Sequence, residues 1–210
     1  MTKVLIADDH PLFRNGLKQL LFSVSAQWQV DEASKGQEIL DRTWQKDYDL
    51  VILDIGLPGR SGLEILEEIM RAKPETRVLI LSMYSEDQFA TQAIKAGAAG
   101  YISKDCQPQE LMAAINLVLQ GEAYFHTDVL KKLTTEIRSG HEKAPHERLS
   151  VRESEIMRLI VKGEKLSKIA KHLSISKSAV SAYRSRILKK MGMKNNSDII
   201  QYAVKAGFTD

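Results

Sequence analysis

Asp8 and Asp9, Asp54, Ser82 and Lys104 bring together hard oxygen ligands, a carboxylate nucleophile, a hydroxyl donor and an ammonium, the set that phosphoryl transfer to an aspartate requires. A carboxylate attacks phosphorus poorly because both carry negative charge. A divalent cation must screen the approach, and a fixed cation must hold the charge that develops. Asp8, Asp9 and Asp54 suit Mg2+, with a backbone carbonyl just beyond Asp54, at Gly56, as a further oxygen ligand. Lys104 can act as a point charge on one phosphoryl oxygen while Ser82 donates a hydrogen bond to another. Taken singly, each residue is ordinary. Asp9 would equally cap the helix that Pro11 opens, a lone lysine at a strand end is usually solvated, and a lone serine usually caps a turn. Their order along the chain is what gives them weight. Neither G-x-x-x-x-G-K-[ST] nor G-x-G-x-x-G occurs, so the chain is not itself expected to bind ATP for the reaction.

Each of these residues follows an apolar run: Val4 to Ala7, Leu50 to Leu53, Val78 to Leu81, and Gly100 to Ser103. Runs apolar on both faces belong in the middle of a parallel sheet covered by helices, where ligand-binding groups gather at the carboxyl ends of the strands. A fifth strand is expected near Gln29 to Glu32. Helical periodicity follows each strand: Leu12, Phe13, Leu17, Leu20 and Leu21 after Pro11; Ile39, Leu40 and Trp44 after a Ser34 cap; Leu63, Ile65, Leu66 and Ile69 after Gly62; Phe89, Ala93 and Ile94 after a Ser85 cap; Leu111, Ala114, Ile115 and Val118 after Pro108. Five strands alternating with five helices predict a doubly wound α/β domain over residues 1–121.

Charge separates this domain from the rest. Residues 149–210 carry 13 lysines and arginines against 5 acidic residues, a net +8, and the chain total of +3 leaves −5 for residues 1–148. An acidic front and a basic back are expected when only one part meets a polyanion. Residues 122–148 read as a linker: a short helical stretch from Val129 to Ile137 runs into the polar segment from Ser139 to His146. Cys106 is the single cysteine, so no intrachain disulfide is expected, and no run approaches the length of a bilayer span; the chain is expected to be cytoplasmic and to have no membrane partner.

Ser150 and Glu153 form an S-x-x-E capping box before Ile156, Leu159, Ile160 and Val161, and Gly163 ends that helix. A helix with Leu166, Ile169, Ala170 and Leu173, a tight turn and a Ser176-capped helix ending at Gly192 follow. A last helix, Ser197 to Ala206, is expected to bury Ile199, Ile200, Tyr202, Ala203 and Val204. The short turn between the second and third helices reads as helix-turn-helix. The helix after Ser176 has an inward stripe of Val180, Ile187, Leu188 and Met191. Its outer face, with Lys177, Ser178, Ser181, Ala182, Ser185, Arg186 and Lys189, is small and polar at the front and basic at the back, which suits a major groove.

With the acidic pair, Asp54-Ile55-Gly56-Leu57-Pro58, Gly62, Ser82, the Ala96 to Tyr101 segment and Lys104, residues 1–121 resemble the receiver domain of bacterial two-component response regulators. The resemblance implies that Asp54 accepts a phosphoryl group from a phosphohistidine on a sensor histidine kinase or phosphotransfer protein, and that Asp9 and Asp54 bind Mg2+ directly with Asp8 close by. It also implies that Ser82 and Tyr101 form a switch pair, altering the surface around residues 82–119. Asp105 departs from the pattern, standing where proline follows the lysine in many receivers. Residues 149–206 resemble the LuxR/FixJ-type helix-turn-helix through Leu149-Ser150, Arg152-Glu153, Gly163, Ile169-Ala170, Leu173, Ile175-Ser176, Val180, Tyr183-Arg184, Ile187-Leu188 and Lys190-Met191. Departures are Lys165-Leu166, where Asn-Lys is common, and Ala179, where Thr is frequent. This second resemblance implies double-stranded DNA as partner. Ser181, Ala182 and Ser185 would face bases, with Ser178 beside them, and Lys177, Arg184 and Lys189 would contact phosphates. The last helix, with Ser197, Ile200, Gln201 and Val204, would be the homodimer surface on DNA, and RNA polymerase is a further partner the resemblance allows.

Two rival readings stand beside this one. An aspartyl-phosphate hydrolase would need a second Asp two residues after the nucleophile, where this chain has Gly56. A receiver acting as a phosphorylation-independent interaction module would keep the DNA-binding output. Elsewhere, Trp28 and Trp44 are expected in the core, and His10, His126, His141, His146 and His172 lack metal-ligand spacing.

Overall fold

The computed structural model describes residues 1–83, 86–139, 144–173 and 175–206, and the chain divides into two compact units, Met1–Gly140 and His141–Asp210. In the first, strands β1 (Thr2–Ala7), β2 (Trp28–Ala33), β3 (Leu50–Asp54), β4 (Val78–Ser82) and β5 (Gly100–Ser103) form one sheet in the order β2-β1-β3-β4-β5, every pairing parallel. Helices α1 (Pro11–Val24), α2 (Gly36–Gln45), α3 (Gly62–Ala72), α4 (Glu86–Lys95) and α5 (Pro108–Leu119) connect them. Val4, Ile6, Leu50, Ile52, Leu79, Leu81 and Ile102 pack with Leu17 and Leu21 of α1 and with Leu111, Ile115 and Val118 of α5. Alternate residues of the same strands face the other way, where α2, α3 and α4 neighbour one another in series.

Side-chain caps account for only some helix starts. Ser61 caps α3, accepting the Leu63 N–H at 3.3 Å. The expected Ser34 cap does not form: α2 starts from Lys35, and Ser34 instead donates its own N–H to Glu38 Oε2 at 3.0 Å. Ser85 lies outside the described residues. Trp28 is buried, but Trp44 is 51% exposed, because Thr43 takes the inward position, its hydroxyl donating to Leu40 O at 2.9 Å. Among the described residues no peptide bond is cis, so Lys104–Asp105 is trans.

Beyond α5, Tyr124 runs alongside β5 and α6 (Thr127–Ser139) packs on α4, so this stretch of the expected linker is built into the first unit. The second unit opens with a 3-10 turn (Pro145–Arg148) that leans on α9, followed by α7 (Val151–Val161), α8 (Leu166–His172), α9 (Lys177–Met191) and α10 (Asn196–Lys205) around their own core of Leu149, Ile156, Ile169, Val180, Ile187 and Ile199. The Ser150–Glu153 box forms in both directions, Ser176 accepts the Ala179 N–H at 3.1 Å, and Gly163 and Gly192 end their helices at positive φ. A further box, Asn195 with Asp198, starts α10.

Candidate functional site

Strand register decides which of the candidate residues meet. Ala7 pairs with Leu53, Leu53 with Ile80 and Ile80 with Tyr101. Asp8 and Asp54 each stand one residue beyond that row, on the side of the sheet that carries α1 and α5. Lys104, two residues beyond Ile102, shares their parity. Ser82 and Tyr101 have the opposite parity and belong to the α4 side. The site thus has a chemical face and a second face behind it.

On the chemical face, Lys104 Nζ lies 2.7 Å from both Asp54 Oδ2 and Asp8 Oδ2, with all three side chains buried. Asp54 Oδ1 accepts the Gly56 N–H at 2.9 Å. Lys104 is held by its own N–H, which donates to Ser82 O at 2.8 Å, and its ammonium lies 5.0 Å from the centre of the Phe13 ring. Burial pushes the Asp54 carboxyl above its usual range; Lys104 pulls it back and the charge of Asp8 pushes it up again. Burial works against the Lys104 ammonium, but Asp54 and Asp8 outweigh it and hold the group above its usual value.

Asp9 is not the cap of α1, contrary to one of the two roles expected of it. The cap position is His10, which makes no side-chain capping bond, and the Asp9 carboxylate stays in the acidic cluster. His10, which lacks metal-ligand spacing in the sequence, joins that cluster. Its Nδ1 lies 3.0 Å from Asp8 Oδ1 and 2.9 Å from Asp9 Oδ1, and its N–H donates to Asp8 Oδ1 at 2.8 Å. Arg14 was missed: it donates to Asp8 O at 2.6 Å and pairs with Glu32, which Lys18 also holds at 2.8 Å. Adjacency to the acidic pair was the available signal for His10; for Arg14, helical spacing one turn beyond it was.

The donor set fits a divalent cation. Asp8, Asp9, His10 and Asp54 each present a ligand atom within 4.8 Å of the others. Asp8 Oδ2 and Asp9 Oδ1 are shut off from solvent without a well-aligned hydrogen bond, their short contacts being the ion pairs with Lys104 and His10. Among the described residues, the three carboxylates of this cluster face the Lys104 ammonium and the His10 ring, a set with room for further positive charge.

In the second unit the expected reading face divides. Ser178, Ala182, Ser185 and Lys189, at helical spacing, form an exposed stripe opposite the buried Val180, Ile187 and Met191, with Ser181 exposed beside it. Lys177 is exposed on the flank. Arg184, seven residues on, is half-buried, its Nε donating to Asn196 Oδ1 at 2.6 Å. Ser178 Oγ meets Ser176 Oγ at 2.8 Å, and Ser185 Oγ donates to Ser181 O at 3.1 Å. On α10, Ile199 and Ala203 face the core. Ile200 and Val204, expected inside, are 37% and 59% exposed and line up with exposed Ser197 and Gln201. One apolar-centred stripe on that helix therefore faces out.

Residues 4–116 match the response regulator receiver domain, and residues 147–203 match the luxR family of bacterial regulatory proteins. The chain is a response regulator with a LuxR-type DNA-binding domain. This response regulator is 32% identical over 208 residues to response regulator UvrY of Escherichia coli (strain K12), covering 99% of this chain and 95% of UvrY. It is 31% identical over 211 residues to response regulator GacA of Pseudomonas aeruginosa, covering 100% of this chain and 99% of GacA. Among solved structures, RcsB from Salmonella enterica serovar Typhimurium, bound to the rprA promoter in the presence of the phosphomimetic BeF3-, matches with a TM-score of 0.59 and 25% identity, covering 96% of this chain and 97% of RcsB. No helix among the described residues of the response regulator is long and apolar enough to cross a membrane.

Proposed function

We propose that Asp54 accepts a phosphoryl group from a phosphohistidine on a sensor kinase or phosphotransfer protein, and that the acquired charge controls dimerisation and transcriptional DNA binding. The observation that carries this reading is the Asp54 carboxylate held between Lys104 and the Gly56 N–H, with Asp8, just past the end of the adjoining strand, on the same ammonium. As the bond from Asp54 to phosphorus forms, the phosphorus–nitrogen bond breaks; its electron pair stays on the imidazole, which takes up a proton. Lys104 stays against a phosphoryl oxygen and the Ser82 hydroxyl donates to another. Asp8, Asp9, Asp54 and the Gly56 carbonyl would hold Mg2+, which supplies charge screening between carboxylate and phosphoryl group. Ser82, drawn to the phosphate, and Tyr101, on the same face of the sheet, carry the change toward α4. The same reading places the protein in the cytoplasm, with RNA polymerase as a further partner.

Output runs through α9 and α10. Ser181, Ala182 and Ser185 face base edges with Ser178 beside them, Lys177, Arg184 and Lys189 contact phosphates, and Ser197, Ile200, Gln201 and Val204 meet a second copy of the chain. The RcsB complex, formed on promoter DNA with a phosphomimetic, supports this order of events.

The test compares binding to genomic DNA fragments with and without a small phosphodonor. Wild type should gain about tenfold in affinity, and Asp54→Asn should gain nothing; an equal gain in both proteins rejects the proposal. Replacing Lys177 or Lys189 by Ala should weaken binding to every fragment alike and lower the slope of log affinity against log salt by about one unit. Weakening confined to one sequence would instead make the residue a base reader.

A further inference from the structure

In the strand order of the sheet, β5 is an edge, and an edge strand presents unpaired N–H and C=O groups that a protein must cover. This chain covers it with itself. After α5, Gly121 takes φ 88° and the chain reverses, the Glu122 N–H bonding back to Leu117 O at 3.0 Å. Tyr124 then lies parallel to β5: its N–H donates to Ala99 O at 3.0 Å, and its carbonyl accepts the Tyr101 N–H at 2.9 Å. The Tyr124 hydroxyl reaches Glu110 Oε1 on α5 at 3.1 Å. From there α6 packs on α4, with Val129 buried.

Gly100 makes the close approach possible. A Cβ at this position would stand 3.0 Å from Tyr124 O and 3.2 Å from Tyr124 Cβ, as well as 2.8 Å from Leu79 Cδ1. The segment is therefore bonded through its backbone to Tyr101, whose ring is fully buried on the α4 side of the sheet. The ring reaches solvent only if the elements packed over it move, and α6 braces α4 among them.

We propose that residues 122–130 are a strap whose docking on β5 and α4 is coupled to the buried position of Tyr101, so that the strap reads the phosphorylation state of Asp54 and passes it to the chain beyond α6. This rests on the phosphoacceptor reading above. Phosphorylation, by favouring the buried ring, tightens the strap; reciprocally, loosening the strap lowers the fraction of Asp54 that stays phosphorylated.

Hydrogen exchange of the full chain, read by mass spectrometry with and without acetyl phosphate and Mg2+, tests it, with the intact mass reporting the phosphoryl group. In wild type, peptides spanning residues 98–102 and 122–131 should slow together by about tenfold on phosphorylation. Two variants loosen the strap: Gly100→Ala by collision and Tyr124→Pro by removing the N–H given to Ala99 O. Tyr124→Pro also removes a ring that packs on the core and its bond to Glu110 Oε1, but it leaves Gly100 and Leu79 in place, so it serves if Gly100→Ala does not fold. Both should exchange faster at those peptides and show a lower phosphorylated fraction at the same donor concentration. Normal phosphorylation with no change in strap exchange, or a strap variant phosphorylated like wild type, overturns the proposal. Failure of wild type to take up any phosphoryl group overturns the Asp54 reading itself and the strap's coupling with it, and the intact mass tells the two failures apart.

Discussion

Asp54→Ala should take up no phosphoryl group from acetyl phosphate and Mg2+, whereas wild type should take up about one per chain, the stoichiometry of a single covalent acceptor. The nucleophile and one ligand of the proposed cation are the same carboxylate, so a single substitution removes both. Asp8 and Asp9 should not substitute for it: Asp8 Oδ2 faces the Lys104 ammonium at 2.7 Å, and Asp9 is set beside His10. The variant should stay folded. Burial already opposes ionisation of Asp54, and its loss removes the repulsion from Asp8 while leaving Asp8 and Lys104 paired. Full labelling of Asp54→Ala, with the phosphoryl group mapped by peptide mass, would refute the assignment.

Gly62→Ala should lower the stability of the first unit by about 3 kcal/mol, at the upper end of what overpacking costs, and its melting temperature by roughly 10 °C. Here glycine serves by having no side chain, not by unusual torsions. A Cβ at residue 62 would meet Asp54 O at 2.3 Å and Ile55 Cα at 2.7 Å, and both are backbone atoms that cannot rotate aside. The Gly62 N–H donates to Ile55 O at 3.1 Å, so α3 begins in direct contact with the strand end that presents the acceptor. Calorimetry of the full chain should show the loss in the transition of the first unit, with phosphorylation slowed in the surviving folded fraction. An unshifted transition would mean that the helix start and Asp54 are less closely packed than these distances state.

Four strands were legible in the sequence because a strand buried on both faces has no polar positions to confuse its period, whereas β2, at the sheet edge with Trp28 and Ala33 buried, offered no such run. Capping in the second unit was legible where a box declares itself, as at Ser150 and Glu153, and misread where a serine had a competing use, as at Ser34. Apolar residues in adjacent positions were not separable: Trp44, Ile200 and Val204 look like core until the packing neighbours choose Thr43, Ile199 and Ala203 instead. The site's acids, lysine and serine could be named from their strand ends, but Arg14 and His10 act on them through bonds that spacing alone does not specify. The pairing of Tyr124 with β5 is a tertiary contact with no local signature. It turned part of an apparent connector into structure.

The hydrophobic cluster that the sheet shares with α1 and α5 and the cluster around α9 draw on separate stretches of chain. The residues that build one cluster are therefore not the residues that build the other. Selection can then rewrite the apolar set of one without rewriting that of the other.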